Sequence, residues 1–218
     1  LTGSAFAILE GTDGRAHHLR FAAIEDTGEA PVGAIAELRY WTDRRGQQHS
    51  TLDARTDLDL AGQVRARGAT WLDRQVAAGG AGIARTGFGA EVHEAIAARL
   101  GALEGQGLAH RVQGRLRPVP NLVAALARRD LAAAAAELSR ETGMPHRPPH
   151  PGEQISGTLR RRVALSSGSF AMIEDGLGFR LVPWRPALEQ SLGKQVRASV
   201  LPGGRIDWLA LRSRGPAR

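Results

Sequence analysis

Phe88 to Leu103, FGAEVHEAIAARLGAL, repeats its apolar residues with the period of a helix. Val92, Ile96, Leu100 and Leu103 fall at i, i+4, i+8 and i+11, which places them on one helical face. Upstream, Leu58 to Val64 and Trp71 to Val76 show the same spacing, and Gly79-Gly80-Ala81-Gly82 breaks it. Downstream, Gly105 and Gly107 end the helix, and His110 to Arg117 alternates around Gln113-Gly114 as a short hairpin would. Three helices followed by a hairpin is the outline of a winged helix. Pro120-Asn121 opens another helical region, which Leu131 to Leu138 continues with high alanine content. Met144 to Pro151, Met-Pro-His-Arg-Pro-Pro-His-Pro, cannot be helix and reads as a stiff linker.

On both sides of this middle the period falls to two. Before it, Ala5 to Glu10, Arg15 to Phe21, Gly33 to Trp41 and Gln47 to Leu52 read as strands, with tight turns at Gly11-Thr12-Asp13-Gly14 and Asp43-Arg44-Arg45-Gly46. After it, strands are expected over Ser156–Leu165, Ser169–Glu174, Phe179–Val182, Lys194–Leu201 and Arg205–Leu211, with a short helix over Arg185–Leu192. Three strands, a helix and two strands match an OB-type barrel, with a five-stranded SH3-like barrel as the rival. Phe6-Ala7-Ile8-Leu9-Glu10 also lines up with Phe170-Ala171-Met172-Ile173-Glu174, as one β-module present twice would; any two β-meanders can share such a pattern. The expected class is therefore α+β: two small antiparallel β-barrels flanking a helical, winged-helix-like middle. The expected segments are 1–57, a small acidic β-module; 58–118, the winged-helix-like module; 119–150, a helical connector and linker; and 151–218, a basic barrel.

Charge is segregated along the chain. Residues 1–60 hold 6 basic and 10 acidic side chains, residues 61–150 hold 12 and 7, and residues 151–218 hold 11 and 5. The net charge of +7 is thus concentrated in the second and third segments, where a polyanion would bind. Arginine accounts for every base except Lys194, a bias that a GC-rich genome also produces. Arg111, Arg115 and Arg117, spaced two or four apart at the ends of the expected hairpin, are expected to put three guanidiniums on one edge; Arg128 and Arg129 lie on a helix surface, Arg160, Arg161 and Arg162 ahead of an apolar strand, and Arg212 and Arg214 near the end. These are the candidate nucleic-acid contacts, weighed against plain solvated arginine faces.

Other chemistry is excluded residue by residue. With no cysteine, thiolate zinc sites, iron–sulfur clusters, disulfides and cysteine nucleophiles are absent, which fits a reducing, cytoplasmic location. His17 and His18 are adjacent and face opposite sides of a strand, so they cannot share an ion. His146 and His150 lie in the proline-rich segment, and Tyr40 has no evident base or metal beside it. No catalytic residue, metal site or small-molecule cofactor is expected. No apolar run approaches the roughly 18 residues that span a bilayer, and Leu1-Thr2-Gly3-Ser4 lacks the features of a signal peptide and reads as the start of an excised fragment. Trp41, Trp71, Trp184 and Trp208 read as anchors of their modules, with base stacking as the functional alternative for an exposed ring.

Several phrases point to a family. Gly68-Ala69-Thr70-Trp71-Leu72-Asp73-Arg74, Gly87-Phe88-Gly89-Ala90-Glu91-Val92, Phe170 to Gly176 and Leu181-Val182-Pro183-Trp184-Arg185-Pro186, with Gly11 to His18 and Pro31 to Ile35, together resemble the C-terminal region of conjugative relaxases, or mobilization nucleases, of the T-DNA border endonuclease type. The resemblance covers nearly the whole chain. It implies a parent protein that nicks one plasmid strand through a tyrosine and a histidine-bound metal in its N-terminal domain; none of those motifs matches a position here. The end of the chain departs from the family pattern, with Leu201-Pro202-Gly203-Gly204 and Arg212-Ser213-Arg214 in place of a Gly-rich tail containing lysine. The expected role is a non-catalytic accessory segment that helps bind or position transfer-origin DNA. The alternative is a recruitment module that docks the relaxase to the coupling protein or secretion channel, with other conjugation proteins as partners. A free-standing transcriptional regulator is a third reading, which the family phrases disfavour.

Overall fold

The computed structural model describes residues 5–21, 27, 32–43, 45–56 and 58–208. The chain divides into two compact units, Leu1–Ala127 and Arg128–Arg218. The first holds β1 (Ala5–Glu10), β2 (Ala16–Phe21), β3 (Ile35–Thr42), β4 (Gln48–Thr56), α1 (Leu60–Arg65), α2 (Trp71–Ala77), α3 (Gly87–Glu104), β5 (Ala109–Val112) and β6 (Arg115–Pro118). Helix α4 (Leu122–Thr142) runs across the division, and β7 (Gln154–Leu165), β8 (Gly168–Glu174), β9 (Phe179–Pro183), β10 (Gln195–Val200) and β11 (Ile206–Trp208) follow, with a 3-10 helix over Pro186–Ser191. The elements fall where the two periods place them. Their assembly does not follow the expected class.

Neither flanking module is a closed barrel among the described residues. In the first, β1 pairs only with β2 and β3 only with β4, giving two separate antiparallel hairpins. They share a core of Ala5, Phe21 and Leu52 with Ala7, Leu9, Leu19, Ala36 and Leu38. These inward positions are mostly alanine and leucine. They fill the space between two hairpins, and among the described residues no ladder joins one hairpin to the other.

In the second unit the strands form one open sheet in the order β11-β10-β7-β8-β9. Closure would bring β9 to β11, but β11 pairs only with β10, and the outer edge of β9 is already taken. The Arg147 N–H donates to Phe179 O at 2.8 Å and the Phe179 N–H to Pro145 O at 3.1 Å. The proline-rich segment is therefore no free spacer: its start lies along β9 as a short parallel bridge. Gly178 makes room for it, since a Cβ there would run into Pro145 O. A second reason is that the sheet is apolar on both faces. On one, Ile155, Leu159, Ala171, Ile173, Val182 and Val196 pack around Leu188 and Trp208. On the other, Met172, Phe179 and Leu181 pack against Ala135 and Leu138 of α4. The run of consecutive buried residues over Phe179–Val182 reflects that double covering. The internal duplication also fails: Phe6 is exposed on a two-stranded hairpin, whereas Phe170 is partly buried on β8, an inner strand of the five-stranded sheet.

The helical part of the first unit is built around one ion pair. Arg99, on the inward face of α3 with Val92, Ala95 and Leu103, is fully buried, and so is Asp73 near the start of α2. The guanidinium grips the carboxylate twice, Nε to Oδ1 and Nη2 to Oδ2, both at 3.0 Å. Its remaining hydrogens go to the carbonyls of Val64 (3.1 Å) in the last turn of α1 and of Ala66 (2.6 Å) and Gly68 (2.9 Å) in the α1–α2 connection. Asp73 in turn accepts from the Thr70 N–H at 2.7 Å and the Thr70 hydroxyl at 2.8 Å, closing a capping box on α2. Buried Gln63 completes the set, accepting from the Leu72 N–H at 3.1 Å and donating to Leu58 O at 3.1 Å. Every buried polar group around this pair is thereby answered, the condition under which a buried charge is tolerated. The turn before β2 docks nearby: Ala84 N–H donates to Thr12 O at 2.8 Å, and Gly89 lies so close to the carbonyls of Ala84 and Thr12 that a Cβ cannot fit.

Two expectations follow. Arg99→Met leaves a buried carboxylate without its counter-charge and three carbonyls without their guanidinium donor, and is expected to cost about 3–5 kcal/mol; Arg99→Lys recovers little, because an ammonium cannot reproduce the fork. Urea unfolding followed by helical circular dichroism reads this, and an unchanged midpoint in Arg99→Met contradicts it. The second concerns His146, whose ring packs on Phe179 and whose Nε2 is buried without a partner. Burial, and then the nearby Arg180 charge, hold its pKa below the ordinary 6.5. The unfolded chain therefore binds the proton more readily, so this contribution to stability is full above pH 6.5 and is lost as pH falls from there toward the lowered value. His146→Phe is expected to flatten the melting temperature below that pH relative to the parent chain; an identical acid-side decline in both contradicts the assignment.

Candidate nucleic-acid interface

The β5–β6 hairpin is a two-residue turn. Gln113 and Gly114 both have positive φ, at 49° and 76°, as the tight connection of twisted strands requires. Its register pairs His110 with Arg117, Arg111 with Leu116 and Val112 with Arg115. Side chains directly opposite share a face, so Ala109, Arg111, Leu116 and Pro118 line one side and His110, Val112, Arg115 and Arg117 the other. The first side turns toward the core that Ala109 shares with Leu103, Leu108, Leu122 and Leu126. All four residues of the second side are exposed.

This sorts the three hairpin arginines. Arg111 lies on the inward side and reaches back to the end of α3, with Nε 3.0 Å from Glu104 Oε1 and Nη2 3.2 Å from Oε2. Its charge is answered within the fold. Arg115 and Arg117 project from the solvent side with His110 and Val112, make no ion pair among the described residues, and share their face with no carboxylate. The three do not form one edge.

The arginine run on β7 is divided as well. A register shift between Leu159 and Arg161 leaves Arg160 as the extra residue of a bulge. Arg160 pairs with Glu174, which raises its pKa further through a short hydrogen bond and the carboxylate charge. Arg161 turns to the α4 side and meets Glu141 at 2.7 Å. Arg162 takes the opposite face, donating to Ser169 Oγ at 3.0 and 2.9 Å and lying 5.9 Å over the Trp184 ring. Arg128 and Arg129 are exposed on α4 without an ion pair among the described residues. Arg212 and Arg214 lie outside the described residues.

Helix α3, the longest of the first unit, offers solvent Glu91, Glu94, Ala97, Ala98, Gly101 and Ala102. Its arginine is the buried Arg99, so the exposed face holds two acids and no base and repels phosphate. Exposed bases in the helical part sit elsewhere, at Arg65, Arg67, Arg74 and Arg85. Spacing and charge alone do not single out Arg99. The signal available in the sequence is Thr70-x-x-Asp73, a capping box ahead of an apolar helix, together with an arginine in step with Val92 and Leu103.

The histidines hold together no site. His17 Nε2 lies 3.0 Å from Asp13 Oδ1, and His18 stacks on Phe6. His93 contacts Ile83 O, and His150 lies beside Glu153. Among the described residues no group of three metal-ligating side chains converges, and no helix is long and apolar enough to cross a membrane. Three tryptophans pack as anchors: Trp208 is buried in the second unit's core, Trp184 packs against it, and Trp71 packs against Leu72 and Val92. Trp41 does not. It is 47% exposed.

A family model described as "Protein of unknown function (DUF3363)" matches residues 39–217. No curated protein and no solved structure matches the chain. The family match spans both compact units and all of the candidate contacts from Arg111 to Arg214, so the chain belongs to the DUF3363 family.

Proposed function

We propose that the chain is a non-catalytic accessory segment of a conjugation relaxase that holds DNA by its phosphates. The observation that carries this reading is the solvent side of the β5–β6 hairpin, where Arg115 and Arg117 stand beside His110 with no carboxylate on the same face. Guanidiniums at i and i+2 of a strand point the same way and suit successive phosphates of a backbone. The positive balance of residues 61–150 and 151–218 supports it, and so do exposed Arg128 and Arg129. The link to a relaxase rests on the sequence phrases alone. Such binding reads charge and position on the backbone, and carries no base specificity of its own.

A second reading, recruitment of another protein, is favoured by one feature. On the outer face of β1–β2, Phe6 and Ile8 are 58% and 75% exposed, side by side in a segment with a net negative balance. The two readings differ in salt dependence. Phosphate binding weakens steeply with salt through counterion release, and apolar docking does not.

Titration of a duplex of arbitrary sequence at several salt concentrations tests the proposal. Arg115→Ala with Arg117→Ala is expected to weaken binding uniformly across sequences and to lower the log–log salt slope by about 0.9 for each phosphate that is no longer neutralised. Arg111→Ala is expected to change the slope far less, because Glu104 already holds that charge. Unchanged affinity and slope in the double variant contradict the proposal. The full chain is also expected to leave supercoiled plasmid intact with magnesium or manganese; cleavage abolished by Tyr40→Phe contradicts the non-catalytic assignment.

A further inference from the structure

The β3–β4 hairpin holds an aromatic pair that the fold does not use. Trp41 and His49 are cross-strand partners, and their rings stack with centroids 5.4 Å apart and planes 18° from parallel. The imidazole is itself held in place. Asp43 Oδ2 lies 3.2 Å from His49 Nε2, while its Oδ1 accepts the Arg45 N–H at 2.8 Å and the Gln47 N–H at 2.9 Å. One carboxylate therefore shapes the turn and orients the ring that supports the tryptophan. With its ring stacked on His49, Trp41 is still 47% exposed. Tyr40, the preceding residue, points to the other side of the strand and is 70% exposed.

A rigid, half-covered indole is a platform for another flat ring. Two guanidiniums lie near it. Arg39 shares the Trp41 side of β3, with Glu37 3.8 Å away in a solvent-exposed contact, and Arg45 is exposed in the turn. Flat rings linked by anions are the bases of nucleic acid, and the chain as a whole has a net charge of +7. In a duplex the base faces are covered by their neighbours; in a single strand they are open. The surrounding segment, with 6 basic and 10 acidic side chains over residues 1–60, makes a poor electrostatic anchor, so a contact here acts through stacking.

We propose that Trp41, braced by His49 and Asp43, stacks on a base of an unpaired strand held by the chain. This rests on the phosphate-binding reading above, and adds strandedness to it: the Arg115–Arg117 face serves single and double strands alike, and Trp41 serves single strands only.

The test uses the full chain with two labelled probes, an oligothymidylate of about 20 nucleotides and a duplex of equal length, by fluorescence anisotropy. Base–aromatic stacking of about 1–3 kcal/mol per base predicts that Trp41→Ala weakens oligothymidylate binding by about fivefold to 150-fold. Duplex binding is expected to stay within about twofold and the salt slope to remain unchanged, since no charge is removed. Trp41→Phe keeps a ring and is expected to retain most of the single-strand affinity. Oligothymidylate should also quench a component of tryptophan emission that is missing in Trp41→Ala. If Trp41→Ala leaves oligothymidylate binding unchanged, or weakens both probes equally, the stacking site is overturned. If the site is overturned while Arg115→Ala with Arg117→Ala weakens both probes, the phosphate-binding reading still stands. If the chain binds neither probe, both fall. If Trp41→Ala disturbs folding, Trp41→Phe decides: single-strand affinity retained while the quenching is absent supports stacking, and loss of that affinity, or full quenching by oligothymidylate in Trp41→Phe, overturns it.

Discussion

A guanidinium without access to water organises the first unit. Arg99 reaches from α3 to the carboxylate of Asp73 on α2, to the Val64 carbonyl at the end of α1 and to two carbonyls of the α1–α2 connection, so one side chain ties three helices. Helices of six and seven residues are too short to persist by themselves, and here their ends are answered by a neighbour's charge and by the Thr70–Asp73 box. With α1 and α2 held, α3 can end against Leu108 and Ala109, which seats the inward side of the β5–β6 hairpin in the same core. The outward side is then fixed by strand alternation alone. The exposure of Arg115 and Arg117 is thus a consequence of burying Ala109 and Leu116's side of the ribbon.

The same logic separates arginines that build the fold from those left for a partner. Arg99 is internal. Arg180 meets Glu153 at 2.8 Å, Arg147 meets Asp175 at 2.9 Å, and both pairs help hold the proline-rich segment beside β9. Arg111, Arg160 and Arg161 each end on a carboxylate at the surface, where such pairs add little to stability but reduce the charge on offer. A count of arginines overstates the positive surface for this reason. Of the candidate contacts among the described residues, Arg115, Arg117, Arg128, Arg129 and Arg162 are left without a carboxylate partner.

The sequence reads well at the scale of elements and less well at the scale of their assembly. Period two and period 3.6 locate the strands and helices because they report which side of each element is apolar. They do not report how hairpins are joined. Two hairpins around a small alanine–leucine core and a barrel of four strands have the same alternation, and in the second unit only the double burial at Phe179–Val182 distinguishes a sheet covered by α4 from a closed barrel. Spacing misplaces Arg111 because i+4 across a two-residue turn crosses to the other side of a hairpin, which the register shows and the spacing does not. It misses Arg99 because an arginine on a helix is ordinarily a surface residue. Exposure of Trp41 is equally beyond reach, since alternation places it on a side and does not say whether anything covers that side.

Amide hydrogen exchange of the full chain with and without a duplex of arbitrary sequence tests the central claim most directly, because it maps the contact without altering a residue. Slowed exchange is expected at β5–β6 and its Gln113–Gly114 turn, vanishing at high salt, with no change on α3. Protection confined to β1–β2, or none at the β5–β6 hairpin under conditions where the duplex is bound, would contradict it.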